Sequence, residues 1–170
     1  MTDSGDAALL FCPPQRAGRP CSSSSSPRPT PARMNKIPVL VGSAPGFVLN
    51  RLGSAWYACA GHMLVYGAAS IGRIDALARK VGFVAGPFTV LDGITLATAK
   101  RVGACIVDML GPEREHDGRA LHHLADTMLT RGWPGRAHRG ESRGFYHWSN
   151  GRQQAVNEEV SLGRTVPTFV

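Results

Sequence analysis

The 170-residue chain has 20 glycines, yet no two of them stand two positions apart. The absence of any G-x-G excludes the dinucleotide-binding fingerprint, and no phosphate-cradling G-x-x-x-x-G-K-[ST] loop is present either. Cysteine is scarce, with 4 residues and no C-x-x-C. That count and spacing exclude a disulfide framework and a cysteine-ligated metal site. Aromatics are few as well (3 Trp, 3 Tyr and 6 Phe), which argues against an aromatic-rich β-sandwich. No apolar run reaches the roughly 18 residues a membrane-spanning helix needs. Charged residues make up only 18% of the chain, while the 43% hydrophobic content is ordinary for a soluble globule. The length suits one domain and leaves little room for an enzyme carrying a cofactor domain of its own.

What is present is unevenly distributed. Residues 1–33 carry the five-serine run Ser22 to Ser26, six of the 12 prolines and one short apolar patch, Ala7 to Phe11. Such a stretch buries too little surface to offset its ordering entropy and is expected to be a disordered tail. It reads as neither a secretory signal nor a transit peptide, because Asp3 and Asp6 replace the usual positive start. Met34 opens the part expected to fold, and a start of translation there is the alternative expectation. The net charge of +7 fits a polyanionic partner in principle. Yet the arginines are scattered through helical segments, and their densest group (Arg131, Arg136, Arg139, Arg143) lies in a glycine-rich loop. With no nucleic-acid-binding signature beside them, no nucleic-acid partner is expected.

The body reads as helices behind one short strand. Ile37 to Val41 is a compact apolar run ended by Gly42, hence a strand. Pro45 suits the first turn of a long helix whose inward stripe would be Phe47, Leu49, Leu52, Trp56, Cys59, Met63 and Leu64, ending near Gly67. Ser70 is placed to N-cap a second helix with Ile71, Ile74, Leu77 and Ala78 inward, and Gly82 to end it. A third helix starts at Gly86-Pro87 and keeps its period to Gly111-Pro112, with Gly93 a candidate bend. A fourth covers 117–131. A basic glycine loop, Gly132 to Gly144, then leads to Phe145-Tyr146-His147-Trp148, and residues 149–170 read as a loose polar tail. The fold class is therefore all-α, with one strand that lacks a sheet.

Local spacing suggests no chemistry. No nucleophile–base pair or paired carboxylate stands out. Cys59 and Cys105 fall on apolar helix faces, where buried free thiols are expected. His122 and His123 are adjacent and so point to different faces, which makes them poor joint ligands. No metal site is expected.

Three motifs, however, resemble one family in order. KIPVLVGSAPGFVLNRL (Lys36 to Leu52) is similar to the junction entering the C-terminal domain of NAD-dependent L-3-hydroxyacyl-CoA dehydrogenases. GFVAGPFTVLD (Gly82 to Asp92) resembles that family's second signature, and Gly144-Phe145-Tyr146 its terminal G-F-Y. The likeness runs over about residues 36–148, in the manner of the multifunctional fatty-acid oxidation type. It implies a helical bundle over 34–148 resembling the C-terminal domain of 6-phosphogluconate dehydrogenase. In the family that domain dimerises and closes one wall of the active-site cleft. It also implies oxidation of L-3-hydroxyacyl-CoA with NAD, in the cytoplasm. The Rossmann domain that precedes it in the family, with the NAD glycine loop and a His–Glu pair, has no counterpart in residues 1–33. The expected partners are therefore a second copy or a separate Rossmann chain, and the chain alone is expected to be inactive. The other reading is a non-catalytic association module from the same lineage.

One position carries the family's site chemistry. Asn50 matches the asparagine of P-G-F-x-x-N-R, which reaches substrate. An amide can donate to a carbonyl or alkoxide without titrating, while spacing alone makes Asn50 a residue that bonds its own turn. Arg51 is expected to pair with a carboxylate such as Asp92, and Phe47 to be core rather than acyl pocket. The family loop G-R-K-x-G-x-G-F-Y is lengthened here to Gly135–Tyr146, with Ala137 at its lysine; Arg139 replaces that cofactor-facing cation only if the loop refolds. The family's V-G-L-D is Ile94-Thr95-Leu96-Ala97, so its aspartate is lost.

Overall fold

A computed structural model describes residues 9–11, 38–40, 48–110 and 119–162. Two compact units divide the chain, Met1–Leu52 and Gly53–Val170. In the first, β1 (Leu9–Phe11) pairs in parallel with β2 (Pro38–Leu40) in the register Leu10↔Val39. The strand expected at Ile37 to Val41 is thus present over its centre, but it is not an orphan. The apolar patch of the segment read as a tail supplies its partner. The rest of residues 1–33 lies outside the described residues.

Helix α1 (Leu49–Val65) begins in the first unit and continues in the second. Its expected inward stripe is corrected over the first two turns: Leu49 and Leu52 are each 68% exposed, and Cys59 is also exposed. The buried face is made of small residues instead, Ala58, Ala60 and Gly61, with Leu64. Gly61 explains the choice, since a Cβ there would stand 3.0 Å from the Cβ of Leu121. Helix α2 (Ile71–Val81) has both expected boundaries, with Ser70 extended at its start, where its side chain makes no cap hydrogen bond, and Gly82 left-handed (φ 110°) at its end. Gly82 N–H donates to Arg79 O at 3.1 Å and Phe83 N–H to Ala78 O at 3.1 Å, the paired bonds of a Schellman motif. Ile71 and Ile74 are inward as expected, whereas Leu77 is 43% exposed.

The third predicted helix is two. α3 (Pro87–Ile94) and α4 (Leu96–Leu110) are separated by Thr95, at φ 69° and ψ 142°. The break falls at Thr95 because its hydroxyl begins a new helix: Oγ1 accepts the N–H of Thr98 at 3.4 Å, the position an N-cap serves. Gly93 stays inside α3 with open space around it and is not the bend. Helix α5 (Arg119–Thr130) lies close to α4, where a Cβ on Gly103 would meet His122 Nε2 at 2.5 Å. Cys105, like Cys59, is exposed, which corrects the expectation of buried thiols.

Beyond α5 the polar stretch is built, not loose. β3 (Glu141–Arg143), β4 (Tyr146–Ser149) and β5 (Arg152–Val156) form an antiparallel sheet in the order β3-β4-β5. Asn150 (φ 48°) and Gly151 (φ 75°) make the two-residue turn between β4 and β5, both with the positive φ of a type I′ hairpin. α6 (Glu159–Leu162) follows. The loose tail expected from 149 is corrected as far as 162, and residues 163–170 lie outside the described residues. The core gathers Leu64, Ile71, Phe88, Leu91, Leu96 and Met128 from the helices with Trp133, Phe145 and Trp148. Phe88 and Phe145 sit at its centre, neither exposed, with ring centroids 4.6 Å apart. The described residues are mostly helical, so the fold class stands, with the small sheet added to it.

Candidate functional site

Two buried aspartates organise the second unit, and sequence reasoning singled out neither for this role. Asp75, in the middle of α2, accepts the backbone N–H groups of Phe88 and Thr89 at 3.0 Å each. It also accepts the hydroxyl of Thr89 at 2.6 Å and that of Tyr146 at 2.9 Å. Phe88 and Thr89 are the second and third residues of α3, whose first turn leaves its N–H groups without partners. Asp75 therefore caps α3 from a neighbouring helix. Gly86, at the N-cap position itself, has no room for a side chain of its own, because a Cβ would stand 2.2 Å from Asp75 Cγ.

Asp92, near the end of α3, accepts the N–H of Phe145 (2.9 Å), the N–H of Tyr146 (3.0 Å) and Trp148 Nε1–H (2.8 Å). Its own carbonyl accepts the N–H of Arg136 at 2.9 Å. A Cβ on Gly144 would lie 2.1 Å from Asp92 Oδ1. So the G-P-x-x-L-D signature and the G-F-Y motif are two halves of one contact: the glycine lets the chain approach, and the next two N–H groups bind the carboxylate. Burial pushes the Asp92 carboxyl up to about 6, against the pull of its three donors, and the Asp75 charge adds to the rise. The Tyr146 phenol is raised too, first by burial and then by the Asp75 carboxylate. Asp75 and Asp92 are fully buried and engaged by the chain itself, so they hold the fold rather than meet a ligand.

Asn50 lies exposed in the first turn of α1, within the first unit. Arg51 is exposed beside it. Its expected partner, Asp92, lies in the second unit, with both oxygens occupied by β4 and the residue before it. Phe47 lies outside the described residues. Arg139 is exposed in the 131–140 loop, also in the second unit. His62 is half-buried beside Tyr66, with ring centroids 6.0 Å apart, and His138 is exposed. Among the described residues no group of three or more His, Cys, Asp or Glu is placed to hold a metal ion. An open depression of about 370 Å³ is lined by Arg131, Trp133, Glu141, Ser142, Arg143 and His147. No helix among the described residues is long and apolar enough to cross a membrane.

The pattern of the 3-hydroxyacyl-CoA dehydrogenase C-terminal domain matches residues 46–148. The chain belongs to that family. Its motifs at Gly46 to Arg51, Gly86 to Asp92 and Gly144 to Tyr146 all fall within the match. The alpha subunit of the fatty acid oxidation complex of Vibrio cholerae is 26% identical over 128 residues, which cover 75% of this chain and 17% of that subunit. The corresponding subunit of Shewanella sp. strain ANA-3 is 29% identical over 133 residues, 75% of this chain and 18% of the relative. The chain thus spans less than a fifth of the length of these relatives. Among solved structures, (S)-3-hydroxybutyryl-CoA dehydrogenase PaaH1 of Ralstonia eutropha aligns at TM-score 0.56 and 28% identity, over 69% of this chain and 40% of that one. FadB2 of M. tuberculosis shares the fold at TM-score 0.60 and 20% identity, over 85% of this chain and 48% of its own.

Proposed function

We propose that the chain serves as the helical part of a 3-hydroxyacyl-CoA dehydrogenase of fatty-acid oxidation, supplying one cleft wall and the dimer contact while a Rossmann-domain chain supplies NAD binding and the base. The observation that carries this reading is the family match over 46–148, which includes Asn50 at the exposed start of α1. Asn50 would hold the oxygen of the substrate's reacting carbon. Its side chain can donate without changing charge, so it orients without competing for the proton.

The residues of this chain do not fit NAD as its principal site. The sequence has no G-x-G, the closely spaced glycines that let a backbone approach a pyrophosphate. At most Arg139 would touch a cofactor held by the partner. The lost aspartate of the V-G-L-D pattern, replaced by Ala97, favours the second reading, a non-catalytic association module. Both readings place the protein in the cytoplasm.

The test is to follow NADH absorbance with a 3-hydroxyacyl-CoA and NAD. The expected result is no turnover by the chain alone and turnover when a Rossmann-domain protein of the family is added. Turnover by the chain alone overturns the proposal, and silence in both arms supports the association module. Sedimentation at tens of micromolar is expected to give a dimer; a clean monomer removes the dimer contact from the reading.

A further inference from the structure

We propose that Asn150-Gly151 is a self-modifying site, where the main-chain nitrogen of Gly151 closes on the Asn150 side chain and releases its amide as ammonia. The closure is intramolecular and forms a five-membered ring, so the reacting groups are already held together. Of the four asparagines, only Asn150 precedes a glycine. Asn35, Asn50 and Asn157 precede lysine, arginine and glutamate, whose side chains crowd the attacking nitrogen. Asn150 is exposed at the tip of the β4–β5 hairpin. The type I′ turn accounts for the choice of these two residues. It does not account for what surrounds them. Asn150 Oδ1 accepts the Gly140 N–H at 3.1 Å, which polarises the side-chain carbonyl and supports the negative charge that grows on its oxygen during attack. The Gly151 N–H has no acceptor among the described residues. A cation lies beside Gly151: a Cβ there would stand 3.4 Å from Arg136 Nη2 and 3.6 Å from Nε. A positive charge at that range favours loss of the amide proton, which makes the nitrogen a nucleophile.

The chemistry balances without an oxidant or an added enzyme. The Gly151 nitrogen bonds to Asn150 Cγ, the Cγ–Nδ2 bond breaks, and the Gly151 amide proton leaves with that nitrogen as ammonia. Water then adds to either carbonyl of the cyclic imide. One opening gives aspartate at position 150. The other gives isoaspartate, with the main chain rerouted through the side-chain carbon. Both products set a carboxylate beside Arg136 where a neutral amide stood. Isoaspartate also adds a methylene to a turn whose two-residue length fixes the Ser149↔Arg152 register across β4 and β5. The hairpin tip therefore changes charge and length with the age of the chain. This property is independent of the dehydrogenase reading.

The test is incubation of the folded full chain at neutral pH, with peptide mapping by mass spectrometry at intervals. The expected result is a gain of about 1 Da confined to the peptide carrying Asn150, with aspartate and isoaspartate forms separated by chromatography. Arg136→Gln should slow the gain by about threefold to tenfold, while Arg136→Lys, which keeps the charge, should retain most of the rate. Arg136 is exposed, so a melting temperature near the native value shows that both variants are folded. Asn150→Gln, which would need a six-membered ring, should gain nothing at this peptide. An Asn150 that stays intact in the folded chain while the urea-unfolded chain loses its amide would overturn the proposal, because the hairpin then protects the residue. A rate unchanged in Arg136→Gln, or Asn50 reacting as fast as Asn150, would overturn it as well.

Discussion

The carboxylate of Asp75 stands where the side chain of Gly86 would be, and it performs that side chain's task. An N-cap residue ordinarily accepts the N–H groups two or three positions into its own helix. Here Phe88 and Thr89 are served at 3.0 Å each by an aspartate from the preceding helix. The exchange gives the carboxylate a second use, because it also accepts the Tyr146 hydroxyl at 2.9 Å and so ties α2, α3 and β4 at one buried point.

Removing that acceptor is expected to be costly. Asp75→Ala leaves two N–H groups and the Tyr146 hydroxyl buried without partners, a loss of about 3 kcal/mol or more. Gly86→Ala is also expected to destabilise, since its methyl collides with the carboxylate. Gly86→Ser placed on Asp75→Ala should recover part of the loss by restoring a cap in place. Chemical denaturation of the single and double variants checks this coupling. Gly93→Ala, inside the same helix with open space around it, should raise stability by up to about 1 kcal/mol.

Thr95 is the residue whose backbone conformation argues against its own side chain. A β-branched residue at φ 69° and ψ 142° occupies a region that favours glycine. The strain is on the order of 1–3 kcal/mol. Thr95→Gly removes it and forfeits only a long cap bond to Thr98, so a net gain of about 1 kcal/mol is expected. An unchanged or lower melting temperature would show that the Thr95 hydroxyl outweighs the backbone strain.

Asp92 makes stability depend on pH in a direction opposite to that of most paired carboxylates. Its folded-state carboxyl is held up at about 6 by burial, above the ordinary 3.8. Between those values the folded chain binds the proton more tightly than the unfolded chain. The stabilisation is therefore fully present below pH 3.8 and is lost as pH rises through 6. Its size is on the order of 3 kcal/mol. The stability advantage of the native chain over Asp92→Asn is expected to grow as pH falls from 7 to about 4.5. Asp92→Asn also sets an amide N–H₂ against the donors of β4, so it should be the less stable protein throughout. Parallel melting curves across this pH range check the sign.

The parts of this fold that could be read from the sequence are those whose signals are local. Gly82 marks the end of α2 and Pro87 the start of α3, because a left-handed C-cap and a first-turn proline act within a few residues. The break at Thr95 was hidden because Leu91, Ile94, Leu96 and Ala99 keep a helical period straight across it. β5 was hidden because Arg152, Gln153 and Gln154 face solvent and show no apolar alternation; its one local signal was the Asn150-Gly151 pair. Asp75 and Asp92 could not be paired with their donors by spacing, since those donors stand 13 and 53 residues further along the chain. The family motifs were visible as strings, but their meaning as a carboxylate meeting the N–H groups after a glycine needed the fold.

Asn50 separates the two readings of the protein. It is exposed on the first turn of α1, and its replacement should leave the buried core untouched. If the chain completes a dehydrogenase, Asn50→Ala assayed with an added Rossmann-domain protein should lower kcat/KM by about 10- to 100-fold, the range for losing one orienting hydrogen bond near the reacting atoms. The effect should fall on kcat as well as KM, because a group that aligns the reacting carbon acts in the transition state and not only in binding. The melting temperature should stay within a degree or two of the native value, as for other exposed substitutions. Asn50→Asp should be worse than Asn50→Ala, because its carboxylate can accept but not donate and repels a developing alkoxide. A kcat/KM unchanged in Asn50→Ala, in a mixture that turns over, would show that the cleft wall is built without this residue.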